Sequence, residues 1–236
     1  MKKVLAVLIV IALSLSMAAC GSSGKQDEGS SARNDEQGKT ENIVFKYGTV
    51  NGGVYENEIA GFGFRFDEAG LMEEPMGAYR DSKPAEEIAE NMLGTLVVEL
   101  HCKNKDIVDE NGEFLTFMIV TVNVQETADS VSDYLKNLMD SSIEDYSSGK
   151  GPFEGYKLSG NDRFSGKIGG KDFEAYELLI NNSTYGSNMV KRVYFARYGQ
   201  YIYRVTFDAS ASESDSSFDE IRQEIDKLIS GYFYAL

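Results

Sequence analysis

Phe62, Phe64 and Phe66 alternate with Gly63 and Arg65, a period of two that predicts a strand with one buried face. Val54-Tyr55 reads as the strand before it, with Gly61 near the turn. Ser82, Pro84 and the acidic start of Ala85-Glu86-Glu87-Ile88-Ala89-Glu90 are helix-opening signals, and Gly94 is a stop. Thr95 to Lys103 predicts a strand with Leu96, Val98, Leu100 and Cys102 on one face and Glu99 and His101 on the other. Asn111-Gly112 is a hairpin signal. The next strand, Phe114 to Val124, is apolar on both faces at most positions, as a central strand covered on both sides would be.

Asp129 opens a second helix, in which Val131, Leu135 and Leu138 keep helical spacing with Tyr134 beside them. A meander follows. Phe164–Ile168 and Phe173–Ile180 flank Gly169-Gly170, and Val190–Tyr198 and Tyr201–Phe207 flank Gly199-Gln200. Phe218, Ile221, Ile225, Leu228, Ile229 and Tyr232 recur at the spacing of a closing amphipathic helix, capped by Ser216 or Ser217. The pattern predicts one α+β domain over residues 43–236, with helices packed on a mostly antiparallel β-sheet.

The start of the chain is patterned differently. Lys2 and Lys3 precede an apolar run from Val4 to Leu15, too short for the about 20 residues that span a bilayer. Small residues then lead to Ala18-Ala19-Cys20, so residues 1–19 read as a secretory signal peptide. Met17-Ala18-Ala19-Cys20 resembles the bacterial lipobox, with Met17 in place of the usual Leu. That resemblance implies lipidation of Cys20 and anchoring on the outer face of the cytoplasmic membrane. Two or three acyl chains suffice for stable anchoring. Gly21 to Asn42 has no aromatic and no branched aliphatic residue, so residues 20–42 read as anchor and tether. Such a tether reaches roughly 25 Å.

Composition narrows the function. Asp and Glu number 38 against 23 Lys and Arg, a net charge of −15. No electrostatic footprint for nucleic acid exists in such a chain. One His and two Cys cannot supply a zinc site of the usual nitrogen and sulfur type. With Cys20 acylated, Cys102 is left without a disulfide partner.

Further motifs carry a family resemblance. Tyr55-x-Asn57 followed by Gly61-Phe62-x-Phe64-x-Phe66 resembles the opening signature of PsbP-like proteins. Gly170-Lys171-Asp172-Phe173-x-Ala175-Tyr176 is similar to a later strand of that family, and Ser217-Phe218 to the opening of its final helix. The stretch from about 47 to 236 also resembles secreted lipoproteins of anaerobic Gram-positive bacteria. The family's Pro-x-x-Trp is replaced here by Asp67-Glu68-Ala69-Gly70-Leu71. The resemblance implies an α-β-α sandwich and a partner-binding or accessory role rather than an enzyme. A fold does not supply a function, and no functional residue is carried over.

Candidate chemistry is sparse. His101 and Cys102 are adjacent, but a strand sends them to opposite faces, which predicts a buried thiol and a surface imidazole. Asp106, Asp109, Glu110, Asn111 and Glu113 form an acidic loop, a weak candidate for a hard cation. Its spacing fails an EF-hand, since Ile107 falls on the first ligand position. Gly166, Gly169, Gly170 and Lys171 lack phosphate-loop spacing and read as a hairpin. No cofactor is expected.

The compositional oddity is aromatic. Tyr185, Tyr194, Tyr198, Tyr201 and Tyr203 crowd the meander, interleaved with Arg192, Arg197 and Arg204. Tyr and Arg are enriched in binding hot spots, although aromatic rows also arise from cross-strand packing. Tyr185, Arg192, Tyr194, Arg197, Tyr198, Tyr201 and Tyr203 are the candidate partner-binding residues. The expected function is a lipid-anchored, non-enzymatic interaction module with an envelope protein as partner. The alternative is a solute- or cation-binding lipoprotein.

Overall fold

A computed structural model describes residues 43–74, 96–104, 117–212, 214 and 216–236. The expected signal peptide and tether, the helix from Ser82, the Asn111-Gly112 hairpin and the acidic loop with Asp106, Asp109 and Glu113 lie outside the described residues.

The described strands form two antiparallel sheets. In chain order they are β1 (Thr49–Asn51), β2 (Val54–Asn57), β3 (Phe62–Arg65), β4 (Leu71–Glu73), β5 (Leu96–Asn104), β6 (Phe117–Glu126), β7 (Tyr156–Ile168), β8 (Lys171–Asn182), β9 (Ser187–Tyr198), β10 (Tyr201–Ser212) and β11 (Phe233–Ala235). The larger sheet runs β4-β5-β6-β10-β9-β8-β7, and the smaller β1-β2-β3-β11. Two helices are described, α1 (Val131–Ser148) and α2 (Phe218–Tyr232).

The meander forms where the glycines predict it. Gly169 and Gly170 both have positive φ (54° and 79°), as a type I′ turn demands. Gly199 alone is positive (59°) in the Gly199-Gln200 turn. Gly169 is also a point of close approach. A Cβ there would lie 2.5 Å from the Tyr234 carbonyl oxygen, so this turn seats directly on β11. β7 begins eight residues before its recognisable apolar stretch at Phe164: Tyr156 and Leu158 alternate toward the α1-side core, but the exposed polar run at residues 161–163 of this edge strand interrupts the period.

Both helices carry built caps. Ser130 caps α1 by accepting from the Asp133 amide, and Gly149 ends it in the left-handed region. Ser217 and Glu220 form a capping box at α2, worth about 1 kcal/mol.

The large sheet lies between the helices. On one face Leu135, Met139 and Tyr146 of α1 pack on Tyr176, Leu178, Ile180, Val193, Phe195 and Ile202. On the other, Ile221, Ile225 and Leu228 of α2 join the small sheet over Tyr203, Val205 and Phe207. Phe64 stacks on Phe233 at 4.1 Å, and Phe233 meets Phe207 at 5.7 Å, so β11 fastens the small sheet to the large one. This is the α+β arrangement expected from the pattern, layered as the α-β-α sandwich that the family resemblance implies. β6 is a central strand, paired to β5 and β10.

Strand β5 departs from the expected alternation. A bulge falls between Val98 and Leu100. The extra residue shifts the side-chain parity, so Val97 joins Leu100 and Cys102 in the core while Leu96 and Val98 are only half-buried. Glu99 is thereby turned into the interior, at 1% exposure. The expected surface position of His101 is also corrected: it is 4% exposed.

Candidate functional site

Alternation on β9 sends Arg192 and Tyr194 to the α2 face of the large sheet. Both are buried, at 7% and 4% exposure, and line the floor of an open cleft of about 370 Å³ between strands β7–β9 and α2. Phe164, Lys167, Glu177, Asp226 and Ile229 complete most of its lining. Arg192 donates through Nε and Nη2 to Glu177 Oε2 (2.9 and 2.7 Å) and through Nη1 to Asp226 Oδ1 (2.5 Å). Arg222 of α2 bonds the other oxygen of Glu177 at 2.8 Å. The guanidinium of Arg192 lies 5.5 Å over the Phe164 ring, within cation–π range. Tyr194 is edge-on to Phe164 and to Phe207, each at 5.7 Å. Burial pushes the Tyr194 phenol up, and Arg192 opposes the shift.

The other candidates do not share this cleft. Tyr201 packs on Phe45 at 5.4 Å inside the core. Tyr203 is fully buried, edge-on to the half-buried Tyr198. Arg197 lies on the opposite, α1 face, where it donates to the carbonyls of Thr127, Gly199 and Asp129. Tyr185 sits in the β8–β9 turn. The meander thus brings Arg192 and Tyr194 together at the cleft, pairs Tyr198 with Tyr203 away from it, and separates the rest.

A second hollow, of about 640 Å³, flanks α2 on its other side. Leu71, Phe117, Ala209, Ala211, Leu228 and Tyr232 form its apolar part, with Glu220, Glu224 and Lys227 at its rim.

Sequence reasoning missed a buried carboxylate. Glu99, turned inward by the bulge, accepts from the Tyr55 hydroxyl, from Asn57 Nδ2 at 2.8 Å and from the Gly48 amide at 3.3 Å. Asn57 Nδ2 also approaches Tyr203 Oη at 3.5 Å. Burial, reinforced by the Glu99 carboxylate, holds the Tyr55 phenol well above its ordinary value. The Tyr55-x-Asn57 pair therefore ties β2 to β5, one sheet to the other. No signal in the sequence marks the bulge, which depends on how β5 pairs with β6.

The α1 face carries a further polar row. Lys191 bonds Asp208 at 3.0 Å beneath α1, and the carboxylate keeps the buried ammonium charged despite desolvation. His101 and Cys102 do face opposite ways. Cys102 Sγ meets the Val120 carbonyl at 3.6 Å, and burial drives its thiol far up, so it is not a nucleophile at neutral pH. His101 Nδ1 contacts Thr121 Oγ1 at 3.0 Å, and burial pulls its pKa down. Among the described residues no three His, Cys, Asp or Glu side chains group as a metal site requires.

No family profile matches the chain, and no curated protein matches it. Among solved structures it is similar to LpqN of Mycobacterium tuberculosis, a protein described as involved in cell envelope biogenesis. The identity is 11%, over 71% of this chain and 92% of that one, at a TM-score of 0.42. It is similar also to a cyanobacterial PsbP from Synechocystis, at 11% identity over 85% of this chain and 99% of that one, with a TM-score of 0.43. The fold assignment itself rests on the chain's own topology.

Proposed function

We propose that this chain is an exported, lipid-anchored, non-enzymatic interaction module whose docking surface is the cleft beside α2. The observation that carries the reading is the meeting of Arg192, Tyr194 and Phe164 in an open cleft against a surface helix. Arg and Tyr anchors in a concavity are what binding hot spots are made of. The ion pairs with Glu177 and Asp226 hold the guanidinium in one orientation, which lowers the entropy lost on docking. The signal-like start, Cys20 and the polar stretch to Asn42 support export, anchoring and a free reach from the membrane. Cysteine lipidation accounts for membrane attachment without a spanning helix; among the described residues none is long and apolar enough to span.

Cross-linking and affinity capture from native membranes tests this. The wild type is expected to capture one reproducible envelope protein. Phe164→Ala with Lys167→Glu, one half-buried at the cleft wall and one exposed at its rim, is expected to lose it with an unchanged circular dichroism spectrum. Equal capture by both proteins, or no partner for either, refutes the docking surface. Cys20→Ser is expected to release the protein from the membrane fraction, and its retention there refutes the anchor.

A further inference from the structure

Three Lys or Arg side chains are buried among the described residues: Lys191, Arg192 and Arg204. Two of them hold carboxylates, Lys191 with Asp208 at 3.0 Å and Arg192 with Glu177 at 2.7 Å. Arg204 holds none. It stands mid-strand in β10, 9% exposed, paired with Asn123 on β6 and Phe195 on β9. Its Nε and Nη2 both donate to the neutral Asn123 Oδ1, at 3.3 and 3.2 Å. A buried guanidinium bonded only to an amide oxygen is an uncompensated charge, and buried charges are ordinarily paired.

A second, independent observation points the same way. Asn123 is 1% exposed, and among the described residues its Nδ2 meets no hydrogen-bond acceptor. So one buried amide supplies the acceptor for Arg204 and leaves its own donor empty beside it. Two of the guanidinium's five N–H groups are spent on Asn123, and both Nη1 donors and one Nη2 donor are left. That free edge is the fork that matches two oxygens of a carboxylate or phosphate.

The surroundings suit an anion. Alternation puts Arg204 on the α1 face, since its neighbours Tyr203 and Val205 pack toward α2. Tyr134 of the first turn of α1 lies over Phe195, at 5.8 Å, and its phenol feels the charge of Arg204. Arg197, on the same face of β9, bonds only backbone carbonyls among the described residues and adds a second positive charge at the rim. Gln125, Tyr134 and Arg197 are half-buried, so this end of the row lies nearer the surface than Asn123 does.

We infer that Arg204 and Asn123 form a binding site for the oxyanion group, carboxylate or phosphate, of a small solute. Arg204 supplies a charged fork, Asn123 Nδ2 a third donor, and the anion the missing counter-charge. The site stands on the opposite face of the sheet from the α2 cleft and does not depend on the docking proposal.

The test uses the full chain in detergent, titrated by calorimetry with inorganic phosphate and with acetate, against chloride at matched ionic strength. Phosphate, acetate or both are expected to bind where chloride does not. Binding of phosphate alone identifies phosphorylated solutes, of acetate alone carboxylated ones, and of both the shared oxyanion. Arg204→Met is expected to weaken that binding roughly tenfold or more, the loss of a charge-assisted pair. Asn123→Asp keeps the shape and brings a carboxylate to Arg204 within the chain. It is expected to raise the thermal midpoint and to abolish anion binding. No response to either anion beyond chloride overturns the site. So does binding that survives in Asn123→Asp, even if Arg204→Met fails to fold.

Discussion

Tyr55→Phe isolates the bond that joins the two sheets. The substitution removes one oxygen and leaves the ring in place, so no cavity of consequence opens. What it removes is a donor to the buried carboxylate of Glu99, which keeps Asn57 Nδ2 and the Gly48 amide. A hydrogen bond to a charged group contributes about 1.5–3 kcal/mol. For a chain of this size that is a fall in the unfolding midpoint of roughly 3–12 °C. The assay is urea and thermal unfolding followed by circular dichroism and tyrosine fluorescence, which is clean because the chain contains no Trp. Glu99→Gln provides the second arm. All three groups donate to the carboxylate, so an amide nitrogen there would face a donor. The double substitution should show a coupling of about 1–3 kcal/mol. Hydrogen exchange should rise first in β2, β3 and β11, since these are the strands the bond helps to hold. If both single variants lie within about 0.5 kcal/mol of the wild type, the carboxylate does not tie the sheets together and the reading of Tyr55-x-Asn57 fails.

Three further outcomes follow from the same packing. The phenols of Tyr55, Tyr146, Tyr176 and Tyr203 are all raised above 10.0 by burial, so the folded state holds their protons longer than the unfolded chain. Stability should therefore be full below pH 10 and fall above it, by up to about 1.4 kcal/mol per pH unit for each tyrosine, as urea midpoints at pH 8 and 10.5 will show. Burial lowers the pKa of His101, so the unfolded chain binds that proton first as pH falls below 6.5. Stability from neutral His101 should be lost on that descent, and His101→Gln should flatten this part of the stability–pH curve. Gly169→Ala should cost more than Gly170→Ala, because both take left-handed strain of about 1–2 kcal/mol but only Gly169 would strike the Tyr234 backbone; equal midpoints would show that the turn does not bear on β11.

Much of the architecture is legible in residue order because it depends on local periods. Phe62, Phe64 and Phe66 all enter the core, Gly169-Gly170 and Gly199-Gln200 both turn hairpins, and Ser217 caps the last helix. The short strands β1, β4 and β11 were not legible, at three residues each too short to show a period. The candidate site was legible in part. The Tyr and Arg residues of the meander were visible, but their grouping was not. Arg192 and Arg197 are five residues apart and so on opposite faces of β9, and what each meets depends on which helix covers that face.

Charge, period and turn chemistry are properties of neighbouring residues, so the amino-acid order alone settles the acidic character, the two meander hairpins, the two described helices and the α+β class. Pairing between distant segments is not local. The bulge that turns Glu99 inward exists only because β5 must keep register with β6 while Val97, Leu100 and Cys102 all reach the core. The meeting of Arg192 with Asp226, 34 residues on, waits for α2 to pack across the sheet. Arg204 is left without a carboxylate for the same reason: its surroundings are chosen by strand order, which sets Asn123 rather than an acidic residue at its side.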